Sequence, residues 1–187
     1  MVKVLIVYGT RYGATAGTSE EIANVLREGG FDVRVLDAKK EKIGDIFEFD
    51  LAVVGSGMKM GKWTSEPETF LKKFQKELAK KKVAIFVSSG AQAILEHEGK
   101  TEDVEKARRE YLDEKAAKYS LQPIAMGIFG GVWDYNKMGF FFGKTMSAYK
   151  QNIEAAGFKE TQPGVYDTRD WDAIRRWAKE IAKKTLS

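Results

Sequence analysis

The stretch that decides the fold lies almost at the amino terminus and reads Val4-Leu5-Ile6-Val7-Tyr8-Gly9-Thr10-Arg11-Tyr12-Gly13-Ala14-Thr15. Its first half is a run of β-branched and apolar residues, which is typical of a strand buried on both faces. Its second half supplies glycine, threonine hydroxyls and backbone N–H groups, and a helical pattern follows. A loop of this composition between a strand and a helix can bind a phosphate group.

The predicted phosphate loop contains Thr10, Arg11, Tyr12, Gly13, Ala14 and Thr15. N–H groups and threonine hydroxyls can satisfy the oxygens of a phosphate monoester without full cations, and Gly13 permits a tight turn. An ordinary strand–helix connection with capping residues is the alternative. We favour phosphate binding because the loop follows the first strand of a predicted parallel sheet. Arg11 is expected either to pair with the phosphate or to face solvent.

Composition narrows the classes of function. The chain has 187 residues, of which 43% are hydrophobic and 31% charged, and this predicts one globular, soluble domain over residues 1–187. It has no cysteine and a single histidine, which excludes disulfides, thiolate metal sites and multi-histidine metal sites. The formal net charge of +4 comes from lysines that alternate with glutamates, so we expect no nucleic-acid partner. A cytoplasmic location is expected, because neither a signal peptide nor a membrane span is recognisable.

Apolar runs alternate with helical patterns along the chain. Five strands are predicted, at residues 2–8, 31–36, 51–55, 83–87 and 124–129. Such alternation gives right-handed crossovers and a doubly wound parallel sheet with helices on both faces. Five strands in this arrangement suit the order 2-1-3-4-5, which binds its ligand beside the first and third strands.

Helix boundaries follow from capping signals. Thr18 with Glu21, and Ser65 with Glu68, have the spacing of capping boxes, so helices are expected to begin at Thr18 and Ser65. Thr101 is expected to cap a long helix and Thr168 the last helix. A further helical stripe, expected to face the core, consists of Met138, Phe142, Met146, Tyr149 and Ile153. Phe140 and Phe141 lie beside this stripe and could instead contact a membrane surface or an apolar substrate.

Three more loops are expected at the same edge of the sheet. The loop after the third strand contains Ser56, Gly57, Met58, Lys59, Met60 and Trp63. Its glycines can present backbone groups to a planar ring, and Met60 or Trp63 could cover the face of that ring. Alternatively, Trp63 packs against the start of the next helix.

The other two loops carry small residues and aromatics. Ser88, Ser89 and Gly90, after the fourth strand, leave room for the edge of a ring. Gly131 and Trp133, after the fifth strand, are expected to form a lid or a second pocket, with a packing role for Trp133 as the alternative.

On these residues the chain resembles the flavodoxin superfamily, whose members bind FMN and transfer electrons. The resemblance implies that the FMN phosphate lies on residues 10–15 and the isoalloxazine between the loops after the third and fourth strands. The loops at residues 10–15 and 55–61, the aromatic stretch after the fifth strand and the closing helix also resemble a narrower branch, menaquinone-dependent protoporphyrinogen oxidase.

The expected function is therefore FMN-dependent electron transfer, with a redox protein as partner. The alternative is an FMN-dependent oxidoreductase acting on a quinone or a tetrapyrrole, with peripheral contact to a membrane. The positive net charge predicts an acidic partner or an anionic membrane. A response-regulator-like module without flavin ranks last, because Tyr8, Gly9 and Thr10 stand where such a module needs acidic residues.

Overall fold

A computed structural model describes residues 1–137 and 143–187. The side chains of Lys59 and of residues 143–148 also lie outside this description. Of the expected helical stripe, Met138, Phe142 and the side chain of Met146 therefore fall outside the described residues, as do Phe140 and Phe141.

A twisted parallel sheet forms the centre of the molecule. Its five parallel strands are β1 (Lys3–Gly9), β2 (Asp32–Asp37), β3 (Leu51–Lys59), β5 (Lys82–Ser88) and β6 (Ala125–Phe129), and a two-residue strand, β4 (Lys62–Trp63), pairs antiparallel with the end of β3. The order across the sheet is β2-β1-β3-β5-β6. Counted over the parallel strands alone, this is the predicted order 2-1-3-4-5.

Helices cover both faces of the sheet. They are α1 (Ala14–Glu28), α2 (Ser65–Lys73), α3 (Gln75–Leu78), α4 (Gln92–His97), α5 (Thr101–Arg108), a π-helical turn (Arg109–Asp113), α6 (Glu114–Lys118), α7 (Gly143–Ala155) and α8 (Trp171–Leu186). The predicted long helix after Thr101 is thus divided by the π-helical turn into three segments.

The apolar residues of β1 point alternately to two cores. Leu5 and Val7 pack with residues of α2, α3 and α6, whereas Val4 and Ile6 pack with residues of α1 and α8. All four side chains are fully buried. Each such burial contributes about 1.5–3 kcal/mol, so the two cores hold the carboxyl end of β1 in a fixed position relative to the helices.

A second, smaller sheet was not predicted from the sequence. It consists of β7 (Val132–Asp134), β8 (Glu160–Gln162) and β9 (Val165–Asp167), which pair antiparallel in the order β7-β9-β8. Ile153 of α7 and Tyr166 of β9 are buried together with Ile94 in a third apolar cluster. This sheet places Trp133 beside the carboxyl end of β5.

The predicted start of the first helix is wrong. The helix α1 begins at Ala14, directly after the loop, and Thr18 lies within it as a fully buried residue. Tertiary packing overrides the capping-box pattern. The helix buries a face that includes Ala14, Thr15, Thr18 and Ser19, and these residues share that face only if the helix begins at Ala14. The positive end of the helix dipole therefore lies at the predicted phosphate loop.

Three other predicted caps are also wrong. Thr64, not Ser65, precedes α2, and Lys100, not Thr101, precedes α5. The helix α8 is capped by Asp170, whose carboxylate accepts a hydrogen bond from the Ala173 N–H at 2.9 Å. Thr168 is instead buried against Gly131.

Two further findings concern the part of the chain that the structure describes. No helix in this part is both long enough and apolar enough to cross a membrane. Within the same residues, no group of three or more histidine, aspartate or glutamate side chains could hold a metal ion.

Candidate cofactor site

A cavity of about 110 Å³ opens at the carboxyl ends of β1, β3 and β5. Four loops converge on it, as expected for the switch point of a doubly wound sheet. Its lining residues are Thr10, Arg11, Tyr12, Ala14, Thr15, Gly57, Met58, Ser88, Gly90, Gly131, Val132 and Trp133. Apart from Val132, every one of these residues was a predicted site residue.

The loop between β1 and α1 has the backbone geometry of an anion site. Gly13 has a φ of 94°, a left-handed conformation that favours glycine, and it leads directly into Ala14 at the start of α1. The Gly13 N–H donates to Thr10 Oγ1 at 3.0 Å, which closes the loop on itself. The first turn of α1 contains no acidic side chain. Its N–H groups can therefore bind an anion.

Two buried hydroxyls in the cavity wall have no hydrogen-bond partner among the described residues. They are Thr15 Oγ1 and Ser88 Oγ, and Thr15 is fully buried. An unsatisfied buried hydroxyl is destabilising unless a ligand or water satisfies it. These two atoms are thus available to a polar ligand in the cavity, and this fits a phosphorylated cofactor.

Glycines keep the cavity open. A Cβ on Gly57 would lie 3.2 Å from Thr15 Oγ1, and one on Gly131 would lie 2.8 Å from the backbone nitrogen of Gly90. A Cβ on Gly90 would lie 2.5 Å from Trp133 Nε1. Any larger residue at these positions would fill the cavity or displace its wall.

Trp133 forms one wall and is held from two sides. Its Nε1–H donates to the Gly90 carbonyl at 3.0 Å, and its ring stacks on Tyr149 with a centroid distance of 5.3 Å and an interplanar angle of 25°. Trp133 is therefore packed against Gly90 and Tyr149 and also lines the cofactor cavity.

The β3–β4 hairpin carries Met58, Met60 and Trp63. Its turn is formed by Met60 and Gly61, whose φ angles of 49° and 74° match a two-residue hairpin turn of the mirror-image type. Trp63 is buried and donates from Nε1 to the Tyr111 carbonyl at 2.8 Å. Trp63 thus anchors the hairpin to the π-helical turn, which agrees with its packing alternative.

Several predicted site residues lie outside the cavity. They are Gly13, Ser56, Met60, Trp63 and Ser89, while the side chain of the predicted Lys59 lies outside the described residues. Ser56 is buried, and its hydroxyl donates to the Gly57 carbonyl while accepting from the Thr64 N–H, each at 2.9 Å. Ser56 therefore stabilises the backbone of Gly57, which lines the cavity. The Ser89 N–H donates to the Phe129 carbonyl at 2.8 Å and links the ends of β5 and β6.

Met60 and Trp63 line a neighbouring space that we call the basic cleft. It has a volume of about 720 Å³ and is lined by Thr10, Arg11, Lys39, Met60, Lys62, Trp63, Thr64, Ser65 and Glu66. Thr10 and Arg11 separate it from the cofactor cavity. The Arg11 guanidinium lies 5.2 Å from the centre of the Tyr12 ring.

Tyr8 lies at the end of β1, just before the phosphate loop. Burial raises the pKa of its phenol, and the carboxylate of Asp37 raises it further. The phenol is therefore neutral at neutral pH and adds no negative charge beside the anion site.

Two residues near the carboxyl end of the chain, neither of them a predicted site residue, also support the cofactor cavity. Arg169 pairs with Asp167 and donates from Nη1 to the Ala14 carbonyl at 3.1 Å, while Thr168 bonds to both backbone groups of Gly131. Because Arg169 and Ala14 are 155 positions apart, no local pattern could indicate this contact.

Comparison with known proteins agrees with this geometry. A model of the flavodoxin domain family matches residues 5–159. Oxidised flavodoxin 1 from Bacillus cereus superposes with a TM-score of 0.58 at 16% identity, covering 97% of each chain. Two-electron reduced flavodoxin from Megasphaera elsdenii gives 0.57 at 18% identity, with 96% of this chain and 98% of that chain covered.

A larger protein contains the same fold as one of its parts. Rubredoxin oxygen:oxidoreductase from Desulfovibrio gigas gives a TM-score of 0.56 at 14% identity, and the match covers 98% of this chain but 36% of that one. At such identities, these structures establish the shared fold only.

The chain belongs to the flavodoxin domain family, because the matched region covers most of its length. Membership confirms the predicted flavodoxin-like fold and the predicted function, electron transfer with FMN as cofactor. The buried hydroxyls and the open glycine cradle fit that cofactor.

Proposed function

We propose that this chain binds FMN in the cavity at the carboxyl edge of the sheet, with the FMN phosphate on residues 10–15. The observation that carries this assignment is Thr15 Oγ1. It is buried in the first turn of α1, where the helix dipole favours an anion, and it has no hydrogen-bond partner in the part of the chain that the structure describes. A hydrogen bond from this hydroxyl to a phosphate oxygen would remove the energetic cost of burying it unpaired.

Different residues of the cavity would bind the phosphate and the ring system of the cofactor. Thr10, Thr15 and the N–H groups of the first turn of α1 would bind the phosphate. Backbone groups of Gly57, Met58 and Gly90 would face the ring system, and Trp133 would limit its exposure to water. The bound FMN supplies the redox chemistry, which these residues orient and protect.

Comparing FMN with riboflavin tests the assignment. The protein freed of cofactor is titrated with each flavin, and the quenching of flavin fluorescence is followed. We expect FMN to bind at least about a hundredfold more tightly than riboflavin, because several hydrogen bonds to a charged phosphate are worth about 1.5–3 kcal/mol each. Equal affinities would show that residues 10–15 do not hold the phosphate.

We also propose the setting in which this chemistry occurs. A redox protein is the partner, and the excess of lysine and arginine favours one with an acidic surface. The whole chain is proposed to be one domain, because β1 contributes side chains to both main cores. A cytoplasmic location is proposed from the absence of cysteine in the sequence.

A second proposed function is an FMN-dependent oxidoreductase of the menaquinone-dependent protoporphyrinogen oxidase type, acting on a quinone or a tetrapyrrole. The observation that favours it is the additional sheet β7-β9-β8, which brings Trp133 to the cavity, where its ring stacks on Tyr149 of α7. Turnover of protoporphyrinogen with a menaquinone analogue tests it. The proposed peripheral membrane contact involves Phe140 and Phe141, which lie outside the described residues.

A further inference from the structure

A second cavity lies apart from the cofactor site, between the β2 end of the sheet and α2. It has a volume of about 310 Å³, and we call it the apolar cavity. Its apolar wall is formed by Val7, Leu36, Ala38, Ile43, Phe70 and Phe74. The cavity opens to solvent, and its rim consists of the exposed residues Glu41, Lys42, Ser65, Thr69 and Lys73. Its volume falls in the range of small-molecule sites.

The apolar cavity borders on the basic cleft. Ser65 and Glu66, in the first turn of α2, line both spaces. Ala38 lines the cavity and the next residue, Lys39, lines the cleft. A molecule that lies between Ser65 and Glu66 on one side and Ala38 and Lys39 on the other can therefore occupy both the apolar cavity and the basic cleft.

The basic cleft carries positive charge that carboxylates of the protein leave uncompensated. Arg11, Lys39 and Lys62 are exposed in its wall, and none of the three forms an ion pair within residues 1–137 and 143–187. Glu66 is the single acidic residue among the cleft's lining residues. Two other carboxylates lie nearby. Glu41, at the apolar cavity, lies 3.8 Å from the Arg34 guanidinium. Asp37 accepts a hydrogen bond from the Lys39 backbone N–H at 3.0 Å and lies 3.5 Å from Lys40 Nζ.

The loop between β2 and β3, which borders the apolar cavity, is fixed by contacts with α2 and with the core. Lys73 donates from Nζ to the Ile43 carbonyl at 2.8 Å and lies 4.6 Å from the centre of the Phe74 ring. Ile46 and Phe49, further along the same loop, are buried in the core. The cavity is thus an open pocket whose walls are fixed parts of the fold.

We propose that these two spaces together bind an amphipathic organic anion. Its hydrocarbon part lies in the apolar cavity, and its carboxylate lies among Arg11, Lys39 and Lys62 in the basic cleft. The apolar wall favours contact with a hydrocarbon over contact with water, and each methylene removed from water strengthens binding about fourfold. The cleft cations select an acid over a neutral molecule of the same length.

Calorimetric titration of the FMN-saturated protein with decanoate tests the proposal. Hexanoate and 1-decanol serve as comparison ligands, because the first keeps the carboxylate with a shorter chain and the second keeps the chain without the charge. We expect one decanoate to bind per chain, at least about tenfold more tightly than either comparison ligand. Decanoate binding no tighter than hexanoate would overturn the proposal.

Variants locate the site. Ala38→Leu places a larger apolar side chain in the cavity and should weaken decanoate binding at least about tenfold, with urea stability unchanged or raised. The double variant Lys39→Gln, Lys62→Gln should weaken decanoate binding about tenfold and leave 1-decanol binding unchanged. Matched controls are Ala117→Leu, an exposed alanine on α6, and Lys183→Gln, an exposed lysine on α8. Both controls should bind decanoate as the wild type does.

Two results would contradict this assignment. One is wild-type affinity for decanoate in Ala38→Leu, and the other is displacement of decanoate by FMN, which would place the acid in the cofactor cavity. The same titration runs on protein that contains no flavin. A failure of FMN to bind would therefore refute the cofactor assignment while leaving the decanoate experiment intact.

Discussion

Thr15 and Thr18 are two fully buried threonines on α1, and both have hydroxyls without a partner among the described residues. Only Thr15 lines the cofactor cavity. We expect Thr15→Val to weaken FMN binding about 10- to 100-fold, because one hydrogen bond to a charged group is worth about 1.5–3 kcal/mol. Flavin fluorescence titration measures this effect.

Thr18→Val is the matched control for that change. Both variants replace an unsatisfied hydroxyl with a methyl of similar size, so each should keep or raise the free energy of unfolding in urea, by up to about 1 kcal/mol. Thr18→Val should bind FMN as the wild type does. If both variants bind equally well, the phosphate does not contact Thr15.

Gly13 and Gly30 both have positive φ, 94° and 84°, and a Cβ on either would meet no atom within 4 Å. Alanine in that conformation costs about 1 kcal/mol through backbone strain alone. Gly13→Ala and Gly30→Ala should therefore lose similar stability in urea, whereas only Gly13→Ala should weaken FMN binding. A valine at position 13 would add β-branched strain and obscure this comparison.

At the scale of single residues, the phosphate loop could be predicted from the sequence, whereas the contacts that support it from distant residues could not. Thr10, Gly13 and Thr15 form one contiguous pattern whose function depends on their own backbone. Arg169 and Thr168 hold the same site from the other end of the chain. Their contribution depends on the tertiary fold, so no spacing in the sequence could reveal it.

Between α2 and α6, Glu68 forms a partly exposed polar cluster with Lys115, Lys118 and Tyr119, with contacts of 2.7–2.9 Å. Burial opposes ionisation of this carboxyl group, but the hydrogen bonds from Lys115, Lys118 and Tyr119 outweigh it and lower the pKa of Glu68 to about 2. The cluster therefore stabilises the fold fully above the unfolded-state pKa of about 4.3. That stability is lost as the pH falls from there through about 2.

We expect Glu68→Gln to lower the free energy of unfolding at about pH 7 by about 1–2 kcal/mol, since the carboxylate is 25% exposed and solvent weakens the ion pairs. The difference from the wild type should shrink as the pH approaches about 2, because the wild-type carboxyl group is then increasingly protonated. Urea titrations at a series of pH values measure this. Glu105→Gln, an exposed glutamate on α5, should change stability little throughout, and a pH-independent effect of Glu68→Gln would contradict the assignment.

At the scale of elements, the strands were predicted well, whereas the residues that cap the helices were not, for different reasons. A buried parallel strand is a continuous apolar run, and five such runs are present in the sequence. A helix start depends on which neighbours the first turn packs against. Thr18 does not cap the helix because it is buried inside α1. Glu68 does not complete a capping box because its carboxylate accepts a hydrogen bond from Lys115, 47 positions later in the chain. Strands β7, β8 and β9 span three residues each, too few to show any periodicity.

For the whole molecule, alternation of strands and helices was enough to predict sheet order, because crossover handedness leaves few arrangements. Charge is the other property that belongs to the whole chain. The formal net charge is +4, and a bound phosphate monoester would subtract about 1.5–2. The protein stays positive, and Arg11, Lys39 and Lys62 concentrate that charge beside the cofactor cavity.

This charge distribution predicts how electron transfer depends on salt. The reduced protein is mixed with ferricyanide, an anion, or with hexaammineruthenium(III), a cation, and the loss of reduced flavin is followed by stopped-flow absorbance. Between about 10 mM and about 200 mM salt, the rate constant with ferricyanide should fall several-fold and that with hexaammineruthenium(III) should rise, because salt screens attraction and repulsion alike. The same sign of salt dependence for both oxidants would refute steering by the protein's charge.

Two variants with the same net charge separate the local field from the total charge. Lys62 lies in the basic cleft, whereas Lys183 lies near the carboxyl end of α8, where Lys184 and Thr185 bond to Lys82 at the start of β5, the opposite edge of the sheet. At about 0.1 M salt, charges act over about 10 Å. Lys62→Gln should therefore flatten the salt dependence with ferricyanide more than Lys183→Gln does. Equal slopes in the two variants would mean that electrons leave the protein by a face other than the one bordered by the basic cleft.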